Sequence, residues 1–239
     1  MRLTVAPGTR VERLAAHLLA DTPDSPFAEE LVAWLAASGR FRAWADVHRD
    51  KIRKKLRTAA GPDARLDARA ELAVAHRLVE DRHVELAWEA YGAQRGGPDF
   101  TIVYRRTQRF NLEVTRLRRQ PDETVVASAL LVKLRQLPPS VPNAVLLAVD
   151  AAHATGAAIE AALRGLRARA DAHDDDFFTA RGHAGTKEFN ERWLRLGAVY
   201  AWAERATGPR ATMTVNRGAR LALPEKGARA VLRALDAPD

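Results

Sequence analysis

Two short segments of alternating polarity, Asp99 to Tyr104 and Phe110 to Arg116, are separated only by Arg105-Arg106-Thr107-Gln108-Arg109. Alternation with period two suits half-buried strands, and so short a link joins them as a hairpin rather than by a crossover. A helix opened at Pro121-Asp122 and closed before Pro138-Pro139 comes next, and then Ala144 to Val149 runs apolar without a break. A continuous apolar strand is one covered on both faces. Hairpin, helix and buried strand in this order predict an α+β fold, a mixed central β-sheet flanked by helices.

On either side of this centre the chain divides in two. Residues 1–60 read as an N-terminal helical segment, in which Thr22-Pro23-Asp24-Ser25-Pro26 separates two apolar-periodic runs. Ser25 is placed to cap a helix that begins at Pro26, carries Glu29 and Glu30 in its first turn and stops at Gly39. A second helix, from Trp44 to Thr58, carries Arg49, Lys51, Arg53, Lys54, Lys55 and Arg57. Those cations cannot share one face, so the helix is expected to be charged nearly all round and to project or to contact phosphate, with Lys51, Lys54 and Lys55 as candidates. Gly61-Pro62 marks the boundary, and residues 61–239 read as an α/β core with further helices and strands towards the C-terminus. A helix over 65–81, a strand from His83 to Trp88 and a loop from Gly92 to Gly97 lead into the hairpin. Helices from Ala151 to Ala170 and from Glu188 to Leu196, strands near 197–203 and 211–215, and a helix opened by Pro224-Glu225 follow the apolar run.

Composition narrows the chemistry. There is no cysteine, which removes disulfides, thiolate zinc sites and thiol nucleophiles together. The apolar runs are strand-sized, far below the roughly 18 residues a membrane span needs, and the N-terminus lacks the apolar core of a secretory signal, so a cytoplasmic protein with no membrane partner is expected. Lysine plus arginine outnumber aspartate plus glutamate by 38 to 30, for a net charge of +8, which favours a polyanionic partner such as nucleic acid. Lysines are scarce, and Lys133 is the only one between Lys55 and Lys187.

Within the hairpin, alternation sets Asp99, Thr101 and Val103 on one side of their strand and Asn111, Glu113 and Thr115 on one side of the next. A turn centred on Thr107 puts Asp99 opposite Thr115 and diagonal to Glu113; a slip of two in the summed register puts it opposite Glu113. In either case two carboxylates approach on one face, and like charges so placed call for a proton or a cation between them. Mg2+ or Mn2+ suits carboxylate oxygen, and such an ion can polarise a phosphoryl oxygen and acidify a water, as phosphodiester hydrolysis requires.

Gly97-Pro98-Asp99-Phe100, a strand, a turn and then Leu112-Glu113-Val114-Thr115 resemble the PD-(D/E)xK nuclease superfamily, in which Pro-Asp leads one strand and an acidic-x-lysine triplet lies on the next. The resemblance covers roughly residues 65 to 150 and includes a preceding helix that carries an acid, here Glu71, and a following helix that leads into a buried strand. It implies a restriction-endonuclease-like core, catalytic and metal-binding roles for Asp99 and Glu113, and Glu71 completing or orienting the metal site. The departure is Thr115, where the family has lysine; threonine cannot stabilise developing negative charge as an ammonium does. The resemblance therefore implies either a divalent-metal-dependent nuclease with its cation supplied from elsewhere, or an inactive nuclease-fold protein that binds nucleic acid or serves a structural role.

Lys133 is the natural replacement. It lies with Gln136 on one face of the helix after the motif. Arg116 and Arg118 are nearer in sequence and are candidates for contact with nucleic acid, although continued alternation turns both away from the face of Thr115. Asp171-Ala172-His173-Asp174-Asp175-Asp176 reads as a solvated loop, and the Asn216-Arg217-Gly218 segment as a turn.

Overall fold

A computed structural model describes residues 9–23, 25–90, 97–149, 155–204 and 211–237. The chain forms two compact units that divide between Arg82 and His83. Sequence punctuation at Gly61-Pro62 places the boundary earlier. The helix that starts there instead joins the N-terminal unit, because it packs on two of that unit's helices.

The first unit is helical: α1 (Arg10–Leu18), α2 (Ala28–Ala37), α3 (Gly39–Val47), α4 (Arg49–Thr58) and α5 (Gly61–Val79). Thr9 and Glu12 close a capping box at the start of α1. Ser25 does not cap α2, whose N-cap is Phe27; its carbonyl instead accepts from the Ala28 N–H in a turn. Gly39 is the first residue of α3, and Ser38 caps that helix through the Phe41 N–H, 2.9 Å away.

The helix expected over Trp44 to Thr58 is two helices, α3 and α4, meeting at His48. Nor does α4 project. Ile52 and Leu56, one turn apart, are buried and seat it against its neighbours. Arg53 lies on Asp21 at 2.9 Å and Lys55 on Glu71, while Lys51 and Lys54 are exposed. Two apolar positions four residues apart were enough to give a strongly basic helix a buried face.

The second unit carries β1 (Val84–Trp88), β2 (Phe100–Tyr104), β3 (Gln108–Leu117), α6 (Glu123–Leu134), β4 (Asn143–Val149), α7 (Thr155–Asp171), α8 (Asp175–Thr179), α9 (Thr186–Trp193), β5 (Leu196–Ala203), β6 (Ala211–Val215) and α10 (Glu225–Asp236). The six strands form one mixed sheet in chain order; β3, β4 and β5 are parallel and the remaining neighbours antiparallel. This is the α+β architecture that the alternation and the apolar run predict. Every residue of β4 and β5 is buried, as befits central strands, whereas β1 alternates buried and exposed.

On one face, Val145, Leu147, Val149, Val199 and Ala201 join α6, α7 and α9 in the main core. On the other lies α10, held where Tyr200 and Trp202 donate to the Ala228 and Leu235 carbonyls, each at 3.0 Å. The Gly227 N–H donates to Gln108 Oε1, and a Cβ at Gly227 would stand 2.9 Å from the Phe110 ring, so only glycine lets α10 come this close to β3.

Asp174 caps α8, and Asp171 and Asp174 pair with Arg167 and Arg169, so the acidic run is structural and partly helical. The part of the expected loop over 92–96, and residues 151–154 of the expected helix, lie outside the described residues. Among the described residues no helix is long and apolar enough to cross a membrane.

Candidate active site on the central hairpin

The hairpin pairs Phe100 with Leu112 and Tyr104 with Gln108. One further step in that register sets Asp99 opposite Glu113. Of the two registers open to the sequence this is the slipped one, and its cause is the turn. Arg105 and Arg106 both adopt left-handed conformations, φ 50° and 64°, and the Thr107 N–H returns to the Tyr104 carbonyl at 3.3 Å. These consecutive left-handed residues turn the chain within the three-residue loop Arg105 to Thr107, and the hairpin therefore centres on Arg106, one residue earlier than Thr107.

At the open end of the hairpin the two acids interlock. The Asp99 N–H donates to Glu113 Oε2 at 3.1 Å, and the Val114 N–H donates to Asp99 Oδ2 at 2.8 Å. Lys133, near the end of α6, donates to Glu113 Oε1 at 2.5 Å. The helix brings it there because Lys133 follows Leu130 by three residues, on the shoulder of the stripe Val126, Leu130 and Leu134 that faces the sheet. Asp122 fixes the other end of α6 by accepting from the Val125 N–H at 2.8 Å.

Glu113 is only 2% exposed. Burial, and then the Asp99 charge beside it, push its carboxyl up to about 7, against the opposing pull of Lys133 and of the Asp99 N–H. One ammonium does not offset two carboxylates here. The donor chemistry agrees with what that deficit asks for. Asn111 directs its N–H to the β4 side, to Pro142, so β3 residues of even number turn their backbone groups towards β2. The Val114 carbonyl thus points to the side where Pro98 stands opposite, a residue with no N–H to give it. Asp99, Glu113 and this carbonyl are hard oxygens of the kind Mg2+ or Mn2+ takes, and the residues fit such an ion.

Thr115 lies half-buried two residues beyond Glu113 on the same side of β3, so no lysine enters from the strand. Arg116 sits in register with Ala148 on the opposite side, as alternation predicts, and Arg118 is exposed just past the end of β3. Glu71 belongs to the first unit, where it is buried on α5 and paired with Lys55. Among the described residues no group of three or more His, Asp or Glu side chains gathers where an ion could sit.

A polar chain that sequence reasoning missed runs beside the acids. Thr101 Oγ1 donates to Asn111 Oδ1, and Asn111 Nδ2 donates to Asn143 Oδ1, at 3.0 and 2.9 Å. Asn143 Nδ2 in turn reaches the carbonyls of Pro138, Val141 and Arg195. All three side chains are buried. The available signals were Asn111 in phase with Glu113 and an asparagine opening an otherwise apolar run.

Comparison with protein-family models, with curated proteins and with solved structures gave no match to this chain.

Proposed function

We propose that this chain is a nuclease-like protein of the PD-(D/E)xK type, acting on nucleic-acid phosphodiesters with Mg2+ or Mn2+, in the cytoplasm. The observation that carries the reading is the meeting of Asp99, Glu113 and Lys133 at the open end of one hairpin. The order α5, β2, β3, α6, β4 along the chain supports it, since the resemblance implies a helix, two successive strands that carry the acids, a helix and a buried strand. So does the raised Glu113 carboxyl, which marks a site short of positive charge.

In this reading Asp99 and Glu113 hold the ion, aided by the Val114 carbonyl. When bound, the ion supplies Lewis-acid polarisation of the phosphodiester. Lys133 takes the part of the missing strand lysine and steadies the extra negative charge on the phosphoryl oxygens. Arg116, Arg118, Lys51 and Lys54 are the proposed contacts to the nucleic-acid backbone, with Lys55 held by Glu71 in the first unit.

A second reading is favoured by that same Lys133–Glu113 pair. The ammonium would stand in for the ion, in an inactive scaffold that binds nucleic acid. Millimolar Mn2+ should raise the wild-type melting temperature and should do nothing for Asp99→Asn, since an ion bound only by the native state stabilises it by mass action. Metal-dependent cleavage of single- or double-stranded DNA or RNA by wild type, lost in Asp99→Asn, supports the enzyme. Inert wild type combined with a Thr115→Lys variant that cleaves supports the scaffold.

A further inference from the structure

We propose that the tip of the β2–β3 hairpin is a second contact for the nucleic-acid backbone, made by Arg105, Arg106 and Arg109; the proposal rests on the nucleic-acid reading above. Arg105 and Arg106 occupy two consecutive left-handed positions of the turn, where asparagine and glycine sit without strain and arginine does not. Strained residues that persist where an easier choice exists point to a use for the side chain. All three arginines are exposed, and among the described residues none of them is paired with a carboxylate. Arg105 lies over the Tyr104 ring, its guanidinium 5.5 Å from the centroid, a contact that helps hold the exposed group in place. Nearby acids do little to neutralise the tip: Glu225 is taken by Arg229, and Glu85 is two strands away from Arg109 in register.

The tip also stands in a defined relation to the acids. Arg109 shares its side of β3 with Asn111 and Glu113, and five residues of rise separate the ends of the hairpin, about 17 Å. At roughly 3.4 Å per base pair this spans about five pairs, so one short duplex can reach both. Planar guanidinium forks suit phosphate oxygens. A lipid surface is the less suitable polyanion, because the tip carries no exposed apolar side chain to enter a bilayer: Tyr104 is buried and Thr107 is polar.

The double variant Arg105→Asn/Arg106→Gly separates strain from charge. Glycine and asparagine fit the turn, so its melting temperature should equal or exceed that of wild type. In EDTA, where no cleavage occurs, its Kd for a short DNA duplex and for a matching single strand should rise by about 10-fold at near-physiological salt. The slope of log K against log salt should become shallower by about 2, as for two lost phosphate contacts. Arg105→Lys/Arg106→Lys should keep most of that slope. Unchanged affinity and slope in the Asn/Gly variant overturns the proposal, and so does wild type that binds phosphatidylserine-containing vesicles but no nucleic acid. Binding that depends on the tip in a protein that never cleaves counts against the enzyme reading alone. Cleavage and binding indifferent to the tip count against this contact alone.

Discussion

Glu113 keeps its proton in the native chain to about pH 7, whereas an unperturbed carboxyl gives it up near 4.5. Between those values the unfolded chain binds fewer protons than the native one, so stability falls as pH rises through this window and levels off above it. The whole effect is roughly 3 kcal/mol. Urea denaturation in EDTA should show it as a loss between pH 5 and 8 that Glu113→Gln lacks; parallel profiles for the two proteins would mean that Glu113 is not raised. Lys133→Ala should lower stability at pH 8 by about 3 kcal/mol, because it leaves Glu113 buried beside Asp99 without its cation. Adding Glu113→Gln to it should recover most of that loss, and a stable single variant would show that the pair contributes nothing. The same variant divides the two functional readings. If Lys133 serves catalysis, its loss should cut cleavage by roughly 10²-fold; if it stands in for the ion, Lys133→Ala should bind Mn2+ more tightly than wild type, and neither should cleave.

Among the elements, the sheet was the most legible part of the sequence. Alternation marks β2 and β3, and the apolar run marks β4, because a strand's period follows directly from its two faces. The facing of Asp99 and Glu113 on one side was legible for the same reason. Their register was not, since it depends on a turn built from two arginines where turn chemistry leads one to expect asparagine or glycine. The break at His48 was hidden too, as neither proline nor glycine announces it. Side-chain partners across elements, such as Lys55 for Glu71, are tertiary facts that no spacing encodes. The Asn111–Asn143 link joins the strand that carries Glu113 to its parallel neighbour, next to a register shift at Asn143/Ala144. Asn143→Ala would strand Asn111 and remove the donor from three backbone carbonyls, so it should cost roughly 3 kcal/mol or more in urea denaturation. A loss below about 1 kcal/mol would mean that neighbouring groups take over these bonds.

For the molecule as a whole, a net charge of +8 supports attraction to a polyanion, but the charges on which the proposed function rests are local: the ammonium on Glu113 and the three guanidiniums at the hairpin tip. Each compact unit carries a lysine paired with a buried glutamate, Lys55 with Glu71 and Lys133 with Glu113, and the second pair lies beside the Asp99 carboxylate. That third charge has an outcome at the level of the solution. If Asp99 and Glu113 hold the proposed ion, the Glu113 carboxyl, half protonated near neutrality, must release its proton to take it, so the chain would exchange hydrogen ions for divalent ones. Uptake of one Mn2+ should expel roughly 0.9 proton at pH 6, about half at pH 7 and roughly 0.1 at pH 8. Calorimetric titration in buffers of different ionisation heat counts those protons directly. An enthalpy of binding that does not depend on the buffer at pH 6 would show that the ion sits elsewhere. Where the count holds, the protein's hold on the ion is set by the acidity around it as much as by the metal supply, and a fall from pH 7 to pH 6 should weaken the complex by about fivefold.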